Sequence, residues 1–254
     1  MSNAISTLEV PLDSLHAAQL AAPFASRLEL CDDLASEGWT PTGEFVKAVR
    51  AFTDVSLVVM IRPRFADSPR ALTVGAFFAT ERVMTASKKE IEMAARAGAN
   101  SVAIGLLTAD GDVDMIACAE LAKFARGAAL DVAFLRTFDL IADRERAMRD
   151  ITDLAMLRVV TAGVLGWNSA VDSISRRLDV LAQDVRNAHA CAPPGRAAVE
   201  VVACGGVRTE NACEFLVVSP HLHASCRRLG EFSGEEVESL YERMIMTRNA
   251  RSAR

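Results

Sequence analysis

The sequence predicts a (β/α)₈ barrel of the TIM type, with residues 1–254 forming one domain. Three observations point to it. Eight short apolar runs alternate with amphipathic stretches from end to end. Strands alternating with helices of this length build βαβ units and a parallel sheet. The chain has 254 residues, and such barrels typically have about 250. The competing architecture is a doubly wound open sheet. It usually has a glycine-rich turn after its first strand, whereas here Val10 leads into Pro11-Leu12-Asp13.

In chain order, the run at 5–10 feeds a helical pattern at 12–22, and the run at 27–30 precedes a helix at 43–52. The third run, 57–61, is followed by the longest irregular stretch, 63–86, which contains Pro69, Gly75 and Phe77-Phe78. A long insertion there would cover the barrel mouth, where lids are found. A helix at 87–97 follows, and Gly98 supplies its stop signal because glycine takes the left-handed backbone that ends helices. The runs at 101–106 and 131–134 each precede a helix, at 114–125 and 144–154. Asp143 suits the N-cap of the second of these. The runs at 157–161 and 198–203 precede helices at 169–188 and 209–217, with Thr209 a suitable N-cap. The last run, 221–224, is followed by a helix at 232–246, and the basic tail 248–254 is expected to fray.

Bulk properties remove some function classes. The formal net charge of −5 and pI near 5.5 leave no basic footprint for nucleic acid. No apolar run approaches the roughly 20 residues that span a bilayer. Met1-Ser2-Asn3-Ala4 lacks the basic and apolar regions of a signal peptide. The expectation is a cytoplasmic protein with neither a membrane nor a nucleic-acid partner. The six cysteines form no CxxC pair, and in such a chain they read first as small buried hydrophobes.

Side chains alternate along a strand, so one parity faces the barrel axis. With Leu8, Val10, Leu28, Leu30, Leu57, Val59, Val199, Val201 and Leu222 turned to the helices, Glu9, Arg27, Glu29, Cys31, Met60, Arg62, Glu200, His221 and His223 turn inward. Arg64 and Ser225 continue that parity at two strand ends. Burying an unpaired charge costs several kcal/mol, so these groups must pair or reach solvent. They are either an ion-pair network that specifies the barrel or a site. The strand carboxyl ends favour a site, because TIM-barrel active sites lie there.

The segments Leu8-Glu9-Val10, Arg27-Leu28-Glu29-Leu30-Cys31, Met60-Ile61-Arg62-Pro63-Arg64, Phe138-Asp139, Thr161 with Gly163, Gly205-Gly206-Val207-Arg208 and His223-Ala224-Ser225 occur in this order. Together they resemble the CutC copper-homeostasis family over almost the whole chain. The resemblance implies a TIM barrel, a cytosolic location, self-association as a homo-oligomer and a role in copper homeostasis. The chain departs from the family pattern at Pro11, where a cysteine is often found, and at Leu135, where the family carries a histidine.

Three chemistries follow from these residues. Copper as Cu(I) favours soft thiolates, and Cys31 at a strand end is the candidate metal ligand, with a buried inert thiol as the alternative. Acid–base catalysis would draw on Glu9 and Glu29, since close carboxylates push one pKa up. Arg62 would clamp a small anionic substrate or neutralise a glutamate, and Asp139 and His223 would complete the set. Anion binding would use Gly205 and Gly206 after the seventh strand, where TIM barrels often hold phosphate. Arg64, Thr161 and Ser225 would assist it. A further reading is a ligand-binding or assembly protein without catalysis, marked by an exposed apolar patch at Phe77-Phe78.

Overall fold

A computed structural model describes residues 6–252 except 70 and 229. Ile5 of the first expected strand and the last two residues of the tail lie outside the described residues. The eight strands are β1 (Thr7–Leu12), β2 (Arg27–Leu30), β3 (Ser56–Met60), β4 (Ser101–Ile104), β5 (Asp131–Phe134), β6 (Arg158–Thr161), β7 (Glu200–Ala203) and β8 (His221–His223). They form a closed barrel in sequence order. Every neighbour is parallel, and β1 pairs with β8 as well as β2, setting Glu9 against both Arg27 and His223. The helices are α1 (Leu15–Ala21), α2 (Gly43–Arg50), α3 (Glu81–Arg96), α4 (Met115–Gly127), α5 (Arg144–Asp153), α6 (Ile174–Cys191), α7 (Ala212–Val218) and α8 (Gly234–Ser252).

Strand parity divides the core as expected. Leu8, Val10, Leu28, Leu30, Leu57, Val59, Val102, Ile104, Val132, Phe134, Val201 and Leu222 join the main core between sheet and helices. Two small apolar groups remain inside the barrel. One is Val58, Ala103, Ala133 and Leu135; the other is Val160, Ala162, Val164, Val202 and Cys204. The flank built by β1, β2 and β8 is polar, and the candidate site stands there.

Several boundaries move for local reasons. The stretch at 63–86 is partly ordered: a 3₁₀ turn covers Val74–Phe77, and α3 begins at Glu81 because the Thr80 hydroxyl accepts from Val83 N. Phe77 is 5% and Phe78 39% exposed, so Phe78 alone reaches the surface and the pair does not form a joint apolar patch. Asp143 caps α5 as expected, accepting from Arg146 N. Gly98 follows α3 with φ +90°. Thr209 does not cap α7. Its N–H and hydroxyl donate to Glu236 instead. Residues 205–211 are drawn into a loop by Gly205 and Gly206 at positive φ and by Asn211, which accepts from Arg208 N and donates to Gly206 O. The chain after β8 forms a short antiparallel hairpin, β9 (Arg227–Arg228) with β10 (Glu231–Phe232), which periodicity did not signal. The basic tail continues α8 as far as Ser252. Among the described residues no helix is long and apolar enough to cross a membrane.

Candidate functional site

Because β1 lies between β2 and β8, the inward residues of these strands converge. Glu9 Oε2 accepts from Arg27 Nε at 2.9 Å and lies 3.6 Å from Arg158 Nε. Its other oxygen lies 3.1 Å from His223 Nδ1. His223 Nε2 is 3.8 Å from Glu29 Oε2. Glu9 and Glu29 are 1% and 3% exposed, so both carboxyls sit in low dielectric, where charge is costly. Burial would raise Glu9, but the His223 hydrogen bond, the Arg27 and His223 charges and Arg158 hold it well below its usual range. Among the described residues Glu29 makes no guanidinium ion pair. Burial pushes it up to about 7 against the pull of His223, the Glu9 charge adds to the rise, and the Arg158 charge pulls on it only from a distance. For His223, burial disfavours the imidazolium, but the Glu9 bond and both glutamate charges prevail and raise it.

A cavity of about 340 Å³ opens above this cluster, lined by Glu29, His223, Arg62, Arg136, Trp167, Gly205, Gly206 and Ser225 among others. Arg62 leaves the end of β3 and, among the described residues, does not pair with a glutamate. Its Nη1 donates to Gly38 O at 2.9 Å. Its guanidinium carbon lies 3.9 Å from the Trp39 ring centre and 5.4 Å from that of Phe77. Burial lowers its pKa to about 10, opposed by Glu37, so it remains a cation at neutral pH. The Thr40 hydroxyl fixes its position, accepting from Arg62 N and donating to Glu90. Arg136 also faces the cavity, tied to Asp139 and to Trp167 O. Its signal in the sequence is weak, because it sits in a 3₁₀ turn with no strand parity.

Three candidates lie elsewhere. Asp139 has no exposure. It accepts from the Thr161 hydroxyl at 2.6 Å, Ala162 N at 2.8 Å, Arg136 at 3.1 Å and Arg144 at 3.4 Å. Thr161 also accepts from Arg144, which pairs with Asp184. Asp139 and Thr161 thus belong to a sealed network behind the mouth and do not line the cavity. Arg64 points outward, half exposed, to Asp33 at 3.2 Å and Asp32 at 3.8 Å. Arg64 leaves the strand parity because β3 ends at Met60. Gly205 needs its φ of +75°, and a Cβ there would stand 2.7 Å from that of Ala162. Close packing therefore accounts for this glycine. A Cβ on Gly206 would meet only open space.

The residues present do not fit Cu(I). Burial, then the charges of Glu29, Asp13, Glu9 and Asp32, push the Cys31 thiol well above its usual range. Thiolate is the form that binds metal. Cys204 lines the cavity, but burial outweighs Arg136 and lifts it to about 12. The ligand atoms that do converge, within 4.8 Å of one another, belong to Glu9, Glu29 and His223.

The raised Glu29 pKa has a measurable consequence. Its folded value, about 7, exceeds the ordinary 4.5. The stability tied to its bound proton is therefore full below about pH 4.5 and is lost as the pH rises to about 7. Glu29→Gln is expected to remove this slope, so the variant should gain on the parent protein between those pH values. Urea midpoints across that window measure it, and parallel curves would exclude a neutral Glu29.

A closed parallel barrel of eight strands alternating with eight helices, with Glu29, Arg62 and His223 toward or just past the carboxyl ends of β2, β3 and β8, defines a TIM-barrel protein. The model of the CutC family matches residues 6–227. The family protein CutC of Vibrio campbellii (strain ATCC BAA-1116) is 32% identical over 228 residues, covering 87% of this chain and 83% of its own. The chain belongs to the CutC family, whose assigned role is copper homeostasis. The crystal structure of a CutC protein from Streptococcus agalactiae aligns with TM-score 0.72 and 22% identity, over 87% of this chain and 99% of that one. N-(5'-phosphoribosyl)anthranilate isomerase of Pyrococcus furiosus aligns with TM-score 0.58 and 13% identity, over 95% and 99%. These two likenesses are of fold.

Proposed function

We propose that the barrel mouth binds a small anionic molecule on Arg62 and exchanges a proton with it through Glu29 and His223. One observation carries this reading. Arg62 is a buried guanidinium at the cavity wall with no carboxylate within ion-pair distance among the described residues. A buried cation without a partner is costly, and a carboxylate or phosphate matches its donor fork. Glu29, in the same cavity with a pKa near 7, suits proton transfer near neutral pH. Glu9 anchors the imidazole of His223 and meets no ligand itself. A cytoplasmic setting and self-association, which the family resemblance implies, belong with this reading.

A titration of inorganic phosphate and acetate against the protein tests the proposal. Arg62→Ala is expected to weaken binding by about 10- to 100-fold, the worth of charge-assisted hydrogen bonds. Arg62→Lys should recover only part, because an ammonium lacks the planar fork. Equal affinities in all three proteins would refute the proposal. A second reading rests on the convergence of Glu9, Glu29 and His223, an oxygen and nitrogen set better suited to Cu(II) than to Cu(I). Copper is then cargo. Stoichiometric copper uptake that is lost in Glu29→Gln and kept in Cys31→Ser would favour it.

A further inference from the structure

A second cavity, of about 210 Å³, lies beside the first under the segment between β3 and α3. Its walls are largely apolar and include Ile61, Phe65, Phe78, Val83, Ile104 and Leu121. Three residues line both cavities, namely Arg62, Phe77 and Leu135. The guanidinium that faces the first cavity is thus part of the partition between them. The partition is lightly fastened. Arg62 Nη1 holds Gly38 O, its Nε has no hydrogen-bond partner among the described residues, and its guanidinium lies over the faces of Trp39 and Phe77.

The roof is fixed in place. Phe77 O accepts from Leu107 N at 3.0 Å, and Phe78 bridges to Leu107. At the outer edge Arg82 stacks on Phe65 at 3.8 Å and holds Asp67. The cavity is therefore built into the fold, with an apolar lining and a cation at its inner wall. Water in such a space makes few hydrogen bonds, and an apolar group would displace it favourably.

We infer that the ligand is an amphiphilic anion. Its carboxylate or phosphate head pairs with Arg62, and an apolar arm of several carbons fills the second cavity. The inference rests on Arg62 binding an anion, and it adds the arm and the place where the arm lies.

The chain has two tryptophans. Trp167 lines the first cavity and Trp39 the second, so ligand-induced fluorescence changes report on both. Straight-chain carboxylates from acetate to octanoate are titrated alongside inorganic phosphate and hexyl phosphate. Affinity is expected to rise about fourfold per methylene, the worth of burying one such group, until the cavity is full. Ala76→Phe fills the second cavity from the lid side, and Val83→Phe fills it from α3. Either should abolish the dependence on chain length and leave inorganic phosphate binding unchanged. If acetate and phosphate bind but affinity is independent of chain length, the arm site is overturned and the Arg62 reading stands. A length dependence that survives both variants also overturns the arm site, because the arm then lies elsewhere. If no anion binds, the Arg62 reading itself fails.

Discussion

Glu9→Gln is expected to cost the fold about 3–5 kcal/mol, the penalty for breaking a buried ion pair from one side. Glu9 is the anion shared by Arg27, Arg158 and His223, and all three are largely buried, with side chains 9%, 8% and 14% exposed. Glutamine keeps the shape but removes the charge, so the guanidiniums face each other across a neutral amide. Arg27 keeps only Glu200 at 3.6 Å and the Thr7 hydroxyl, and Arg158 keeps the Ser101 hydroxyl. The folded-state pKa of Glu9 lies below its ordinary value of 4.5. Its contribution is therefore present above that value and lost as the pH falls below it. The gap between parent and variant should be widest at neutral pH and narrow as the pH falls below about 4.5. Guanidinium unfolding at pH 7 and pH 3.5 measures both. Adding Arg27→Met should recover part of the loss by removing an orphaned cation. A variant within about 1 kcal/mol of the parent, the range of an exposed pair, would mean that the cluster is solvated rather than sealed.

Asp139→Asn is expected to have a comparable cost, again about 3–5 kcal/mol for a broken buried pair. The carboxylate accepts from four donors on three separate segments and has no exposure. An asparagine presents one oxygen and one NH₂, so part of the network meets donor against donor. The free donors then bear the desolvation cost of unmade hydrogen bonds. Anion binding should keep its pH profile in the fraction that folds, because Asp139 does not border the cavity. Thermal unfolding together with the phosphate titration separates the two roles. A variant of normal stability with a displaced pH profile would return Asp139 to the proton-transfer set.

The contrast between Glu9 and Asp139 marks how far the residues could be read in one dimension. Glu9 sits on a strand, where the period of two is enforced by the pleat. Its neighbours Leu8 and Val10 go to the helices, so its own direction follows. The same rule turned Glu29, Arg27, Glu200 and His223 inward, and all of them are found there. Asp139 and Arg64 lie just past strand ends, where the pleat stops and parity no longer predicts direction. Arg62 lies between these cases. Its inward course was legible, but its neighbours Gly38, Trp39 and Phe77 come from other loops, and a guanidinium could equally have met Glu29. The helix caps divide in the same way. Asp143 meets a backbone N–H three residues on, a local event. Thr209 is claimed by Glu236, 27 residues later.

The one-dimensional pattern by itself determined the eight β-to-α units, the helix-facing parity of the strands and the acidic and imidazole character of the interior, because these depend on periodicity and composition within a few residues. Only the tertiary structure decided which charges pair, which are sealed and which border a cavity. Closing the ring brings β8 against β1 and sets His223 beside Glu9 across 214 positions of chain. Electrostatic energies in a dry interior depend on separations of a few ångströms. Closure and loop packing set those separations, and no local spacing encodes them.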